Sequence, residues 1–405
     1  MSDIKLALAY LRSRILVTVL TVLAVSLGLA LGTIVLSLSR QASDSLRKDA
    51  GFWDMVVGAK GSPLQIVLNG LYYLEPPTGN IDVALWEKLK RDPAVATVVP
   101  MNMGDNYLGR PIVCTLPAFF DGRQPIYGHS IIASGRQFSK PFEVVIGAEV
   151  AREHHLKLGQ QIIGAHGWAL SDDWHKDFPY TVVGFLAPFG NSVDRAIYTD
   201  YHSSWIVHSH PDADEPVVAG HDPTKEITTL LVRFHQTGRR LTYIQDIRLH
   251  ENAMAANPVD EIETLGNTLM APLQGVLLIV AYVVVFVSAL FILVTLYMTI
   301  YQRRRDLSIL RSLGATRFNI FSLITLEAAL LSGLGVIAGW LLGHGALGAM
   351  SPFCLARYGI PLAAWFMQPI EFQIAVSVWV MGILAGLLPA IMAYRLPVAD
   401  SLQNE

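Results

Sequence analysis

The sequence predicts an α-helical membrane protein with four transmembrane helices plus a large mixed α/β extracytoplasmic domain of two lobes. The first observation is composition, because 52% of the residues are hydrophobic and only 16% are charged, whereas soluble domains carry about 25% charged residues. The second is the presence of four apolar stretches long enough to cross the roughly 30 Å bilayer core, which takes about 20 residues. The third is their order, since one stretch precedes a long polar region and three follow it.

The four predicted spans are separated by segments of very different length. They are residues 15–38, 270–300, 320–347 and 372–394. A basic segment precedes the first span, as in a signal peptide, but the apolar run is too long for an h-region and no good small-x-small cleavage site follows it. We therefore expect the first span to be retained as a transmembrane helix.

Basic residues at the ends of the spans predict the orientation in the membrane, because Lys and Arg accumulate on the cytoplasmic side. Three basic residues precede the first span, five Arg lie between the second and third, and Arg395 follows the fourth, whereas the segment between the third and fourth holds only Arg357. Both termini are therefore predicted to be cytoplasmic. The segments outside the spans are a cytoplasmic N-terminus (1–14), an extracytoplasmic domain (39–269), a cytoplasmic connector (301–319), an extracytoplasmic loop (348–371) and a cytoplasmic C-terminus (395–405).

Short β-like runs in the extracytoplasmic domain, separated by Gly, Pro and Asp, predict strands. The predicted strands are 55–57, 97–100, 144–146, 161–163, 181–185, 196–198 and 228–234. Residues 148–158 predict a helix that ends at Gly159, and residues 240–269 predict a helix that continues into the second span. We place the second lobe at about residues 110–225.

The cytoplasmic connector begins with the basic stretch YQRRRDLSILRSLGATR at residue 301. Leu307, Leu310 and Leu313 recur every third residue, Asp306 lies on the polar side, and Gly314 breaks the pattern before the third span. This spacing predicts a short amphipathic helix at the membrane surface. Such a helix docks either on lipid headgroups or in the groove of a cytoplasmic partner, and the residues alone favour neither.

This stretch resembles the signature loop of the FtsX-like permease family of the MacB and LolC/LolE type, the type VII ABC transporter permeases. The matching residues are Arg303, Arg304, Arg305, Leu310, Arg311, Leu313, Gly314 and Ala315, with Asp306 where the family usually has Glu. Residues 386–398 resemble the closing segment of the family, and residues 54–81, 98–109 and 182–200 resemble a subgroup of MacB-like permeases. The extracytoplasmic domain is thereby identified as a MacB-like periplasmic core domain.

The resemblance implies a membrane subunit that is not an enzyme alone and works in a bacterial inner membrane. A separate cytoplasmic ATP-binding subunit would hold ATP and Mg²⁺, and a second permease chain, identical or a paralogue, would complete the complex. The family's coupling helix receives motion from the ATPase, and here it corresponds to Arg303, Arg304, Arg305, Asp306, Leu307, Leu310, Arg311, Leu313 and Gly314. The motion would rearrange the periplasmic domain, which acts on a substrate outside the inner membrane. A periplasmic adaptor or substrate-binding protein is a further expected partner, and nucleic acid is not.

Two other functions stay open at this point. One is transmembrane mechanical signalling of the FtsX type, in which the outer domain activates a periplasmic partner and no cargo moves. The other is a metal-linked component, for zinc uptake, export or sensing.

Glycines at every fourth position mark close approach of the spans, because small-xxx-small faces let helix backbones come together. They are Gly28, Gly32, Gly335, Gly339, Gly343, Gly382 and Gly386. We interpret them as helix and subunit contacts. Glu327 is the only acidic residue inside a predicted span, and it either pairs with a neighbouring helix or acts directly in transport.

The sequence contains no Walker motif, HExxH motif or GxSxG motif, so no catalytic residue is predicted. Eleven of the twelve His lie in the extracytoplasmic domain, and four of them fall close together among carboxylates: His202, His208, His210 and His221. Imidazole and carboxylate in one loop could bind Zn²⁺ or Cu²⁺. The spacing matches no closed four-ligand site, so a solvated acidic loop is the alternative.

Overall fold

The computed structural model describes residues 3–125, 130–168, 173–208, 225–358, 362–365 and 367–395. The chain divides into two compact units. The helical unit comprises residues 1–41, 270–352 and 362–405, and the α/β unit comprises residues 42–269 and 353–361. Four helices of the described residues are long and apolar enough to cross a membrane, which confirms the predicted fold class.

The helices begin and end as follows, in chain order: α1 (Asp3–Ser13), α2 (Ile15–Ala50), α3 (Pro63–Tyr72), α4 (Val83–Lys90), α5 (Ala148–His154), α6 (His202–Val207), α7 (Arg240–His250), α8 (Pro258–Leu265), α9 (Ala271–Gln302), α10 (Arg304–Ser312), α11 (Arg317–Tyr358) and α12 (Pro369–Tyr394). A π-helical turn, Gly266–Met270, connects α8 to α9.

The strands are β1 (Met55–Gly58), β2 (Ile81–Asp82), β3 (Val95–Tyr107), β4 (Arg110–Thr115), β5 (Ile132–Gly135), β6 (Glu143–Ile146), β7 (Gln161–Ile162), β8 (Ala165–His166), β9 (Tyr180–Leu186), β10 (Ile197–Asp200), β11 (Glu226–Ile227), β12 (Thr229–Phe234) and β13 (Met254–Ala256).

One mixed sheet organises the α/β unit. Its strand order is β13-β1-β12-β3-β4-β10-β6-β9-β5, with β7 paired to β9 and β8 paired to β3, while β2 and β11 form a separate pair. The β10–β4 and β6–β9 pairs are parallel and the other pairs are antiparallel. Strands β3 and β12 are neighbours at the centre of the sheet. The chain between them, which begins with β4 at residue 110, forms the half of the sheet beyond β3, with strand order β4-β10-β6-β9-β5, before it returns at β12. The two lobes predicted from the sequence therefore share a single sheet.

A cluster of aromatic rings fills the core of the α/β unit. Trp53 stacks on Phe119, Phe119 stacks on Tyr198, and Phe120 meets Tyr198 edge to face. The buried guanidinium of Arg123 lies 4.5 Å from the centroid of Phe119. Edge and stacked contacts of this kind each stabilise the fold by about 0.5–1.5 kcal/mol beyond the effect of the buried area. The cluster therefore stabilises the packing of Tyr198, in β10, against Trp53 and against the segment between β4 and β5.

Glycine brings the long helices of the helical unit into contact. A Cβ added at Gly339 would lie 2.7 Å from the carbonyl oxygen of Ser26, and one at Gly335 would lie 2.6 Å from Val25 Cβ, so α11 meets α2 at backbone distance. Gly28 faces Val285 of α9, and Gly343 faces Thr33 of α2. Gly382 and Gly386 face Ser332 and Ala328 of α11. Gly32 is less confined, since its nearest side-chain neighbour, Ala281 Cβ, lies 3.9 Å from the added atom.

Three segments differ from the sequence expectation. Helix α5 ends at His154, because His155 adopts a left-handed conformation (φ 50°) as its C-cap, so the helix does not continue to Gly159. The predicted helix over 240–269 is interrupted by β13, whose residues pair with β1 and form part of the sheet. Helix α11 continues beyond residue 347 through Pro352, so much of the predicted loop 348–371 is helical.

Candidate functional site

The connector between α9 and α11 is dominated by the nine-residue helix α10. Arg303 separates α10 from α9, because its backbone (φ −107°, ψ 17°) departs from helical geometry. Gly314 adopts φ +102° two residues after the end of α10, a conformation that glycine reaches without the steric cost of a Cβ. Two backbone breaks therefore isolate α10 as a short separate helix.

Helix α10 has one buried side and one exposed side. Leu307 and Ser308 are buried and Leu310 is partly buried, with Leu307 packed in a cluster formed by Ile300, Ile320, Ile324, Ala390 and Ala393. Leu313 is 80% exposed, contrary to the predicted apolar stripe, because α10 ends at Ser312 and Leu313 lies in the turn that follows.

Charged side chains occupy the exposed side of α10. Arg304, Arg305 and Asp306 are exposed and Arg311 is half-buried. The guanidinium of Arg304 lies 4.9 Å from the centroid of the Tyr301 ring. The buried leucines thus fix α10 to α11 and α12, while its basic side remains accessible.

Arg303 points into the helix bundle instead of toward solvent. Its Nη1 lies 3.4 Å from Glu327 Oε1 of α11, and its Nη2 donates to the Tyr10 carbonyl at 3.3 Å and to Ser13 Oγ at 3.2 Å. The guanidinium also lies over the Tyr10 ring at 3.9 Å. Both side chains of the ion pair are about nine-tenths buried. The predicted intramembrane acid therefore pairs with the first Arg of the predicted coupling set, and the pair connects α1, the start of α10 and α11.

A second buried acid lies where the sequence analysis placed none. Glu371 belongs to the first turn of α12 and is 2% exposed, whereas the predicted span began at residue 372. Its Oε2 lies 3.0 Å from His344 Nε2 of α11, and its Oε1 accepts a 2.6 Å hydrogen bond from Ser37 Oγ of α2. The other ring nitrogen of His344 contacts the carbonyl oxygen of Ala364. The sequence offers one indication of this pair, since His344 is the one His of the twelve that lies outside the predicted extracytoplasmic domain.

The predicted His loop is only partly brought together. His202 pairs through Nδ1 with Asp200 Oδ1 at 2.7 Å and lies beside Trp205. His208, the residue that follows α6, instead joins Asp105, His166 and His175. His210 and His221 lie outside the described residues.

Sequence reasoning missed three members of this cluster, which we call the His/Asp cluster (Asp105, His166, His175 and His208). Asp105 and His166 are register partners across β3 and β8. A bulge in β3 between Met103 and Asp105 changes the register there, as bulges often do where a side chain is re-aimed. Because β8 has only two residues, this pairing is visible in the sheet register and not in any sequence motif.

The three imidazoles converge on one buried carboxylate. Asp105 Oδ1 lies 3.2 Å from His175 Nε2 and 3.5 Å from His166 Nδ1, and Asp105 Oδ2 lies 3.4 Å from His208 Nε2. Burial alone would raise the pKa of the Asp105 carboxyl, but hydrogen bonds and positive charge from His175 and His208 hold that pKa well below its usual range. The hydrogen bond to Asp105 raises the pKa of His175. The cluster borders a cavity of about 220 Å³.

Comparison with known protein families accounts for both units. A family model described as a MacB-like periplasmic core domain matches residues 18–237, and one described as an FtsX-like permease C-terminal domain matches residues 278–399. The chain belongs to the FtsX-like, MacB-type permease family. This confirms the resemblance drawn from the connector and from the closing segment of the sequence.

Similar proteins include macrolide export ATP-binding/permease proteins named MacB. The protein from Nitrobacter winogradskyi is 24% identical over 76% of this chain and 46% of its own length, and the one from Nitrosomonas europaea is 24% identical over 96% and 57%. This permease thus spans about half the length of the curated relatives it matches. The extracellular domain of the ABC-type transporter YknZ aligns with a TM-score of 0.31 and 12% identity, covering 50% of this chain and 98% of that domain.

Proposed function

We propose that this permease couples ATP hydrolysis by a separate cytoplasmic ATP-binding subunit to movements of its periplasmic domain, which act on a substrate outside the inner membrane. The observation that carries the proposal is α10, a short helix with an exposed basic side and a buried side fixed to two membrane-crossing helices. Both MacB relatives are named for ATP-binding and permease functions together, which supports a link between this chain and an ATPase.

The proposed assembly contains two permease chains, identical or paired with a paralogue, and two ATP-binding subunits that hold ATP and Mg²⁺. The membrane is a bacterial inner membrane, and both termini and α10 lie on its cytoplasmic side, in keeping with the distribution of Lys and Arg. A periplasmic adaptor or substrate-binding protein would complete the system.

Force applied to α10 has a direct route into the bundle. Closure of the ATPase would press on the side formed by Arg304, Arg305 and Asp306. Arg303 directly precedes α10 and is held by Glu327 of α11 and by the Tyr10 carbonyl of α1. Leaving one charge of a buried ion pair without its partner costs about 3–5 kcal/mol of protein stability. Arg303 and Glu327 should therefore stay together when α10 moves, and the displacement would reach α11 and α1.

Charge reversal on the exposed side of α10 tests this proposal. In the variant Arg304→Glu/Arg305→Glu, we expect the ATP-binding protein that co-purifies with the tagged chain to fall by about tenfold or more, because interfacial charge pairs contribute several kcal/mol. The measurements are mass spectrometry of the purified complex and ATPase activity of the eluate. Insertion of the chain into the membrane should persist.

Arg12→Glu is the matched control. Arg12 is exposed on α1 and belongs to another of the basic groups that predict the topology, but it lies outside α10. Normal recovery and ATPase activity in the Arg304→Glu/Arg305→Glu variant would refute coupling through α10. An equal loss in both variants would attribute the effect to general loss of positive charge.

A further inference from the structure

We propose that Asp105, His166, His175 and His208 of the α/β unit form a binding site for a divalent first-row transition-metal ion, with Zn²⁺ the best fit. Each residue offers one ligand atom, and these atoms all lie within 4.8 Å of one another. The donor set is three imidazole nitrogens and one carboxylate oxygen, which suits Zn²⁺ as well as the other imidazole-preferring ions.

The distances within the His/Asp cluster agree with the size of a zinc site. Zn–N and Zn–O bonds of about 2.0–2.1 Å in a tetrahedron place neighbouring ligand atoms about 3.3 Å apart. Asp105 Oδ1 lies 3.2 Å from the His175 nitrogen and 3.5 Å from the His166 nitrogen, and the second oxygen, Oδ2, lies 3.4 Å from the His208 nitrogen. The ligand atoms, all within 4.8 Å of one another, would reach the spacing of a tetrahedral site by rotation of His166 and His208, whose side chains are 55% and 38% exposed.

Hydrogen bonds to Asp105 alone do not account for the arrangement of the rings. A carboxylate has room for several donors spread around its two oxygens, and nothing in that role requires the donors to lie close to each other. Here the three ring centroids are only 5.3–5.9 Å apart, and the rings are steeply inclined at 65–87°. One nitrogen of each imidazole and one oxygen of the buried carboxylate lie within 4.8 Å of one another, as the ligand atoms of a single cation do.

The backbone holds the ligands on well-defined elements. Asp105 and His166 are fixed by the pairing of β3 with β8. His175 donates its backbone N–H to the Gly164 carbonyl at 2.9 Å, and His208 donates its own to Ser204 of α6 at 3.0 Å. Ligands supported in this way lose little freedom on binding. The adjoining cavity and the exposed edges of His166 and His208 give an ion access from solvent.

Metal binding by the purified full chain tests the proposal without an ATPase, so its outcome is independent of the proposed coupling function. The chain is freed of metal with a chelator in detergent and loaded with Zn²⁺ or with Co²⁺ as a coloured substitute. We expect one Zn²⁺ per chain by elemental analysis after gel filtration, and visible absorption bands typical of four-coordinate Co²⁺. Affinity for Zn²⁺ should fall more than about 100-fold in His175→Ala and in Asp105→Asn, exceeding the 10- to 100-fold typical of outer-shell changes.

His202→Ala is the matched control, since His202 lies six residues before His208 and contacts Asp200 instead of the cluster. It should keep the stoichiometry and the Co²⁺ spectrum of the unchanged chain. Asp105→Asn preserves side-chain shape, and an unchanged gel-filtration profile establishes that it folds.

Two results would overturn the proposal. One is absence of the four-coordinate Co²⁺ bands and of stoichiometric Zn²⁺ in the unchanged chain. The other is full binding by His175→Ala together with loss of binding by His210→Ala/His221→Ala, which would move the site to the residues that follow His208.

Discussion

Helix α11 contributes to two buried acid–base pairs in the described part of the chain, and they differ in chemistry. Glu327 pairs with Arg303 at 3.4 Å, and His344 pairs with Glu371 at 3.0 Å. At 1.5 Å per residue the two positions on α11 are about 25 Å apart. The first pair connects α11 to the start of α10, and the second connects it to α12 and, through Ser37, to α2.

The two pairs differ in whether their partners can become neutral. Arg stays protonated in proteins, so neutralising Glu327 would leave a buried cation without its partner. In the second pair, one nitrogen of His344 must donate to the Ala364 carbonyl, because a carbonyl oxygen only accepts. The other nitrogen therefore either donates to ionised Glu371 or accepts from protonated Glu371, and one proton satisfies the pair in both arrangements. The first pair therefore requires both charges, whereas the second can also exist as two neutral groups.

Neutral amides should break the first pair and preserve the second. We expect Glu327→Gln to lower the free energy of unfolding by about 3–5 kcal/mol, because it leaves the Arg303 guanidinium buried without a counter-charge. Glu371→Gln should cost less than about 1.5 kcal/mol, since the amide N–H₂ can still donate to His344. Denaturant unfolding of the purified chain in detergent measures both.

A charge-free replacement of the first pair is the control. Arg303→Met/Glu327→Met removes both charges, and replacing a buried pair with apolar groups is often neutral or stabilising. The double variant should therefore be more stable than Glu327→Gln alone. Equal losses for Glu327→Gln and Glu371→Gln would contradict the proposed difference between the two pairs.

A larger side chain on α11 at a position between the two pairs should disturb only the His344–Glu371 pair. Gly339 lies on α11 between Glu327 and His344, and its added Cβ would come within 2.7 Å of the Ser26 carbonyl on α2. We expect Gly339→Ala to cost about 1–3 kcal/mol, the usual range for overpacking. Because α2 also carries Ser37, this change should be coupled to Glu371→Gln and additive with Glu327→Gln in double-mutant cycles.

Gly275→Ala provides the comparison for Gly339→Ala. Gly275 lies in α9, where nothing approaches an added Cβ within 4 Å, so this change should be neutral or stabilising by up to about 1 kcal/mol. Coupling of Gly339→Ala with Glu327→Gln above about 0.5 kcal/mol would show that the two pairs are not independent.

Sequence periodicity and composition predicted four spans and a separate helix in the connector, because these signals are local, but they did not predict the exposure of Leu313. The apolar runs follow bilayer thickness, and the four-residue spacing of Gly335, Gly339 and Gly343 follows the helix period. The burial of Glu327 beside Arg303 agrees with the interpretation that this acid pairs with a neighbouring part of the helix bundle. The inward direction of Arg303 did not follow from its place in a basic run, since only the backbone break before α10 turns it toward α11.

The His/Asp cluster and the second acid–base pair could not be found from the sequence because their members meet through tertiary structure. Asp105 and His166 become neighbours through a two-residue strand, and Glu371 meets Ser37 across 334 positions of sequence. His202, His208, His210 and His221 are close in sequence, yet of the two that the structure describes, His208 lies in the His/Asp cluster and His202 pairs with Asp200. Closeness along the chain therefore did not predict which His side chains lie next to Asp105.

The smallest expected difference concerns the serines that support each pair. Ser37 is fully buried and donates to Glu371 at 2.6 Å, so Ser37→Ala should cost about 1 kcal/mol, the net value of one buried hydrogen bond. Ser13 is exposed, and Arg303 keeps Glu327 and the Tyr10 carbonyl when the hydroxyl is removed. Ser13→Ala should therefore stay within about 0.5 kcal/mol, as surface changes usually do. Unfolding measurements in which Ser13→Ala costs as much as Ser37→Ala would mean that the Arg303–Glu327 pair depends on the end of α1, and that both pairs draw comparable support from the N-terminal helices.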